Sequence, residues 1–225
     1  KSGIESLENT ELMNSDENFL IKLKNQLQDK KNVGNTVITT LDADLQQAAY
    51  QALGDNRGAV VVMDPKTGKI LAMVSKPDFD PNTVVADWDT LSSSGDSVLL
   101  NRATQGQYAP GSTFKVVTTL EYMRENPDYA SYSYNCRGSI ERDGIRIHCY
   151  NGHVHGQVDL QDSLADSCNA SFSNIGLSLD PSKFKNTAED VLFDSKLPSD
   201  LPYSKSSFTL DSSAGNGTKM MTAMG

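Results

Sequence analysis

A chain of 225 residues with 37% apolar residues can build one sizeable core, or one domain with an appendage. Its formal charge of -9, an isoelectric point near 4.8 and the lack of any Lys/Arg cluster would repel phosphates and exclude nucleic acid as a partner. No apolar run reaches the roughly 18 residues of a membrane span, and the start KSGIESLENT lacks the basic end and apolar stretch of a signal peptide, so any anchor or export signal is expected to have been removed or never present.

Residues 1–15 are polar and unpatterned. DENFLIKLKNQLQDKK then places Leu20, Leu23 and Leu27 at helical spacing and runs into the turn signal NVGN. This predicts a linker and one amphipathic helix over 1–34, with the main domain over 35–225. TVITTL reads as a short strand. DADLQQAAYQALG reads as a helix with Asp42 as N-cap and Gly54 as its stop. GAVVVMD and KILAMVS are two β-type runs joined by PKTG, a hairpin in which Gly68 takes a positive φ. A Pro/Asp/Ser-rich loop follows from Pro77 to Asp96.

A helix is expected to open at Ser112, run over 113–125 and be ended by Pro127. NCRGSIERDGIRIHCYNGHVHG reads as an irregular hairpin with Asp143-Gly144 at its tip. VDLQDSLADSCN, ASFSNIGLSL and PSKFKNTAEDVLF are helical by spacing, with Pro181 suited to a first turn. The order is mixed α and β, with strands early and helices later.

Ser112 and Lys115, in APGSTFKVV, carry the chemistry. A serine hydroxyl needs a base to remove its proton, and a lysine three residues on along a helix lies on the same face. To act as that base the lysine must lose its charge, a fall from about 10.4 toward 7 or 8 worth roughly 4 kcal/mol, supplied by burial and nearby charge. The following Val116 and Val117 suit a dry pocket, and a helix N-terminus favours a developing oxyanion. S-x-x-K alone is weak, because Ser182 to Lys185 repeats it at an ordinary helix start. DSCNASF adds Ser167 and Asn169, which can project from a helix-to-helix turn, although Ser133 to Asn135 repeats that pattern too.

Together, NRATQGQYAPGSTFK, HGQVDLQDSLADSCNASF, TTLDADLQQAAYQAL and GAVVVMDPKTGKILAMVSKPDFDPN closely resemble the transpeptidase domain of class B penicillin-binding proteins over about residues 35 to 225. S-x-x-K with S-D-N and K-T-G marks the wider superfamily of penicillin-binding proteins and β-lactamases. The resemblance implies an α/β fold of the α+β type, with an antiparallel sheet and helices on both sides, incomplete at the C-terminus. It makes Ser112 the acylated nucleophile, Lys115 its general base and Ser167 the proton relay to the leaving amine. Asn169 becomes a hydrogen-bonding group for the substrate amide and for the lysine.

The implied substrates are peptidoglycan stem peptides ending in D-Ala-D-Ala, with β-lactam antibiotics acylating the same serine. The implied setting is the extracytoplasmic face of the bacterial membrane, with a membrane anchor, a glycosyltransferase partner and no organic cofactor. A β-lactamase or D,D-carboxypeptidase of the same fold, or a non-catalytic β-lactam sensor or scaffold, is the alternative. Lys66-Thr67-Gly68 precedes the nucleophile and is turn chemistry throughout, so the family's third motif is expected beyond Gly225 and the chain alone is expected to be impaired.

Cys136, Cys149 and Cys168 fall in one window with His148, His153 and His155. An odd count cannot pair fully within one chain. C-x12-C-x5-H-x12-C, with His155, can supply a Cys3His structural zinc site. A Cys136–Cys149 disulfide and three unlinked thiols are the other readings.

Overall fold

The computed structural model describes residues 3–13, 19–31 and 34–225. The chain divides into two units, residues 1–107 with 198–204 and residues 108–197 with 205–225. In the first, two single-turn helices, α1 (Gly3–Leu7) and α2 (Asn9–Met13), stand where no pattern was legible. The amphipathic helix is present as α3 (Phe19–Leu27), with Leu20, Leu23 and Leu27 exposed. Its expected start at residues 16–18, and residues 32–33 of the NVGN turn, lie outside the described residues. Among the described residues, no helix is long and apolar enough to cross a membrane.

Helix α4 (Ala43–Leu53) begins where Asp42 accepts the Leu45 amide at 2.9 Å, and stops at Gly54 with φ 54. It packs on a hairpin of β1 (Gly58–Met63) and β2 (Ile70–Lys76), burying Ala49, Ala72 and Val74 with Leu45, Leu53, Val60 and Val62 around them. TVITTL forms no strand. Thr40 Oγ1 donates to the Ile70 carbonyl at 2.6 Å, and just past the run the Asp42 amide donates to Leu71 O at 2.9 Å. Ile38 is 92% exposed, so this β-prone run finds no surface to cover.

The β1–β2 turn confirms the reading of Lys66-Thr67-Gly68. Asp64 accepts the Lys66 amide at 2.9 Å and the Thr67 hydroxyl at 2.7 Å, Gly68 N donates to Asp64 O at 2.8 Å, and Gly68 has φ 72. Those two bonds, led by the one from Thr67, hold the Asp64 carboxyl below the usual carboxylate range. The loop expected from Pro77 contains a six-residue helix, α5 (Trp88–Ser93).

The second unit opens with a 3-10 turn, Gly111–Phe114, which runs directly into α6 (Lys115–Glu125). Four short strands follow: β3 (Tyr134–Cys136), β4 (Ser139–Arg142), β5 (Ile145–His148) and β6 (Gly156–Val158). β4 and β5 form the expected hairpin, with Asp143 at φ 51 and Gly144 at φ 77, the pair of positive φ values that a two-residue hairpin turn requires. β3 pairs with β6. All described pairing is antiparallel, distributed over three two-stranded ladders.

Helices α7 (Leu160–Ala165), α8 (Asn169–Ser178), α9 (Pro181–Asp190) and α10 (Asn216–Thr222) complete this unit. Asp159 caps α7 and Asp180 caps α9, with Pro181 in the first turn. One cluster gathers Phe114, Leu160, Phe172, Ile175, Leu179, Phe184, Ala188, Phe208 and Leu210. A second holds Cys136, Ile140, Ile147, Cys149, Cys168, Ala170 and Met220. α8 contributes to both, so the turn that precedes it is anchored from two sides.

Candidate active site

Gly111 takes φ 57, and the chain enters the 3-10 turn just before Ser112. The expected N-cap role of Ser112 is therefore corrected. Its backbone is already inside the turn, with its carbonyl accepting the Lys115 amide, and its side chain caps nothing. The hydroxyl is left for other partners. Ser112 is exposed, whereas Lys115, one turn on, is wholly buried. Phe114 fixes the residue before Lys115 by packing against Phe193, Phe208 and Phe184, with ring centroids 5.4, 5.7 and 5.8 Å away.

The Lys115 ammonium donates to Asn169 Oδ1 at 2.7 Å, to the Ser167 carbonyl at 2.8 Å and to Ser167 Oγ at 2.9 Å, and lies 3.4 Å from Ser112 Oγ. Ser167 Oγ donates to Ser112 Oγ at 3.0 Å. Ser112, Lys115, Ser167 and Asn169 thus converge at one point. Burial pulls the lysine below its ordinary pKa of 10.5, against the opposing pull of any negative charge on Cys168 and Cys149. The flanking valines do not supply that burial, since Val116 is exposed and Val117 only half-buried. Phe172 contributes to it instead, its ring centroid 5.4 Å from Lys115 Nζ.

Ser167 sits in the turn between α7 and α8 at φ 51, a left-handed conformation costing a non-glycine residue on the order of 1–3 kcal/mol. Its amide donates to Leu164 O at 3.1 Å, and the Cys168 amide donates to Ser163 O at 2.9 Å. Asn169 Nδ2 donates to the His148 carbonyl at 3.0 Å, which turns Asn169 Oδ1 toward the lysine. An amine held this way can take a proton from one hydroxyl while a second hydroxyl passes one onward.

Cys136, Cys149, His155 and Cys168 also meet, their ligand atoms all within 4.8 Å of one another. Cys136 Sγ lies 3.7 Å from Cys149 Sγ, and Cys149 Sγ lies 3.8 Å from Cys168 Sγ. Cys136 Sγ lies 3.4 Å from His155 Nδ1. These sulfurs are far beyond the roughly 2.05 Å of a disulfide. Zinc bonds of about 2.3 Å to sulfur and about 2.0 Å to nitrogen give tetrahedral edges of about 3.8 and 3.5 Å, close to these three separations. Burial raises the Cys149 and Cys168 thiols, Cys168 to about 12. At Cys136 burial also opposes ionisation, but hydrogen bonds from His155 and the Gly138 amide bring the thiol to about 6.

The two repeated patterns fall elsewhere. Ser182 N donates to Asp180 Oδ1 at 2.8 Å in the first turn of α9, and Lys185 pairs with Glu189 at 3.8 Å on its surface. Ser133 accepts from Gln157 at the β3–β6 ladder, and Asn135 is exposed on β3. Sequence reasoning missed Phe172 and the His148 carbonyl. The first looks like any core aromatic, and the second is a backbone atom that no residue type signals.

The penicillin binding protein transpeptidase domain model matches residues 58–225. The chain is 35% identical over 215 residues to the peptidoglycan D,D-transpeptidase PbpA of Mycolicibacterium smegmatis, covering 88% of this chain and 44% of that protein. It is 46% identical over 149 residues to the peptidoglycan D,D-transpeptidase MrdA of Escherichia coli, covering 63% of this chain and 24% of that protein. The structure of penicillin-binding protein A from M. tuberculosis as a ceftriaxone acyl-enzyme superposes with a TM-score of 0.87 at 28% identity, covering 100% of this chain and 54% of that one. The chain therefore spans about half the length of these relatives or less. Because the matched region runs through both the Ser112 turn and the Ser167 turn, the chain belongs to the penicillin binding protein transpeptidase domain family.

Proposed function

We propose that the protein is a serine D,D-transpeptidase that cross-links peptidoglycan stem peptides at the extracytoplasmic face of the bacterial membrane. The observation that carries this reading is the single Lys115 Nζ that joins Ser112 Oγ, Ser167 Oγ and Asn169 Oδ1. Ser112 Oγ attacks the penultimate D-alanine carbonyl as neutral Lys115 takes its proton. The tetrahedral intermediate collapses with Ser167 delivering a proton to the departing D-alanine amine and regaining one from protonated Lys115, 2.9 Å away, which returns the lysine to its neutral form. An amine of a neighbouring stem then attacks the acyl-enzyme, and the proton it loses returns through the same groups. Asn169 holds the substrate amide and the lysine together. In this reading residues 35–225 are the N-terminal portion of the catalytic domain, and residues 1–34 precede it. A membrane anchor and a glycosyltransferase partner belong to the whole protein.

Labelled penicillin mixed with the full-length protein is expected to leave one persistent adduct per molecule. Rapid turnover to penicilloate would contradict the transpeptidase reading and favour a β-lactamase.

We further propose that Cys136, Cys149, His155 and Cys168 hold a structural zinc ion, which would supply only rigidity, since four protein ligands leave no open position for water. The purified protein is then expected to carry one equivalent of zinc. Its three thiols should resist a thiol reagent until a chelator is added, and then all react. Three thiols reactive without chelator would contradict the zinc, and so would fewer than three after it without prior reduction.

A further inference from the structure

Ser167 keeps φ 51 without being glycine, which requires surroundings that over-determine it. One anchor is Cys168, whose sulfur belongs to the cysteine–histidine quartet. The other is a set of buried hydroxyls that the chemistry at Ser112 does not use. Ser163 in α7 and Ser171 in α8 are both wholly buried, with their Oγ atoms 2.7 Å apart. Ser163 Oγ lies 2.5 Å from the Asp159 carbonyl. Tyr132 lies just before β3, and its hydroxyl is 2.9 Å from Ser171 Oγ and 3.2 Å from Ser171 O.

The proton positions follow from donor counting. A carbonyl has no proton, so Ser163 donates to Asp159 O. Ser163 Oγ then offers Ser171 only a lone pair, so Ser171 donates to Ser163. Ser171 Oγ, its proton spent, accepts from Tyr132. The Ser163 and Ser171 protons each have one place, the Tyr132 proton is shared between Ser171 Oγ and Ser171 O, and every bond runs the same way. Such a chain polarises along its length, and cutting it strands a buried donor or acceptor.

The chain ties the start of α7 to the start of α8 on either side of the turn carrying Ser167. Ser163 takes part twice, because its carbonyl also receives the Cys168 amide. We propose that Tyr132, Ser171 and Ser163 are positioning residues for acyl transfer, forming a one-directional hydroxyl relay that holds Ser167 against Lys115 and Ser112. This rests on the role proposed above for Ser167. It adds a clamp separate from the cysteine–histidine quartet.

The test compares Tyr132→Phe, which keeps the ring, with Ser163→Ala and with the double variant in the full-length protein. The readout is the second-order rate of acylation by a penicillin, per titrated active site and well below each melting temperature. Ile175→Val, a core truncation in α8, serves as a control for loss of stability alone. Each relay variant is expected to acylate on the order of 10-fold more slowly, since small misplacements of a reacting group are costly. The double variant should be no slower than the worse single one, and Ile175→Val should match wild type. If Ser163→Ala does not fold, Ser171→Ala takes its place in the cycle. Relay variants acylating at the wild-type rate, or two losses that multiply, would overturn the proposal. Wild-type protein that never acylates would overturn the reading of Ser112 on which the relay rests, whereas a fast wild type with unaffected relay variants would sink the relay alone.

Discussion

Ser112→Ala is expected to abolish covalent capture of penicillin while leaving the fold intact. Removing a serine nucleophile costs on the order of 10⁶-fold in rate where it has been measured in a serine hydrolase. Among the described residues, no other hydroxyl has the same combination of exposure and a base. Ser167 Oγ is only 3.0 Å from Ser112 Oγ and itself meets Lys115 Nζ at 2.9 Å, but it is half-buried and its backbone is pinned in a left-handed turn. Stability should move little, because the Ser112 side chain is exposed and caps no helix, and such substitutions stay within about 0.5 kcal/mol. Denaturant unfolding and penicillin labelling on the same samples check both halves. A labelled Ser112→Ala protein would contradict the assignment, and an unfolded one would contradict the surface, non-capping role given to this side chain.

Lys115→Met is expected to slow acylation by roughly 10²- to 10⁴-fold, the range for losing a general base. Methionine fills the buried site without charge, so the loss would report proton transfer more than packing. The wild-type acylation rate should rise with pH through the lysine's lowered pKa, since only the neutral amine can accept the Ser112 proton. That limb should fall below the ordinary 10.5, because burial disfavours the charged form.

The same shift has a stability consequence with a definite sign. Between the lowered folded value and the ordinary value the unfolded chain binds more protons, so stability rises with pH across that window. Below it the whole cost of burying the ammonium is present. Lys115→Met should flatten this rise in a series of denaturant midpoints. An acylation profile independent of pH up to the ordinary lysine range would contradict the role of Lys115.

The convergence of Ser112, Lys115, Ser167 and Asn169 was legible because they come as short patterns in family order, and the structure brings them within hydrogen-bond reach. The Ser182–Lys185 repeat shows why spacing alone could not suffice: Asp180 caps that helix and its lysine stays on the surface. Local chemistry also read correctly at the Lys66-Thr67-Gly68 turn, where Asp64 and a positive-φ glycine settle the geometry within five residues.

Failures came where distant partners decide. TVITTL has strand composition but no face to bury, so it stays irregular. Ser112 looks like an N-cap, yet Gly111 has already turned the chain into a 3-10 turn. The dryness around Lys115 comes in part from Phe172, far along the chain, and not from the adjacent valines. Nothing in the letters marks Ser167 as left-handed, because serine carries no such preference. The relay from Tyr132 through Ser171 to Ser163 joins three elements with no common motif. The cysteine–histidine spacing allowed three readings, because it is the folding of three separate segments that brings the four ligand atoms within 4.8 Å.

The most direct test of the account is peptide mapping of the penicillin adduct. The full-length protein is labelled to saturation, digested and sequenced by mass spectrometry, with the acylated residue located by fragmentation. One modified site is expected, Ser112 in QYAPGSTFK. A label on Ser167, on any cysteine or on Ser182, with Ser112 unmodified, would contradict it.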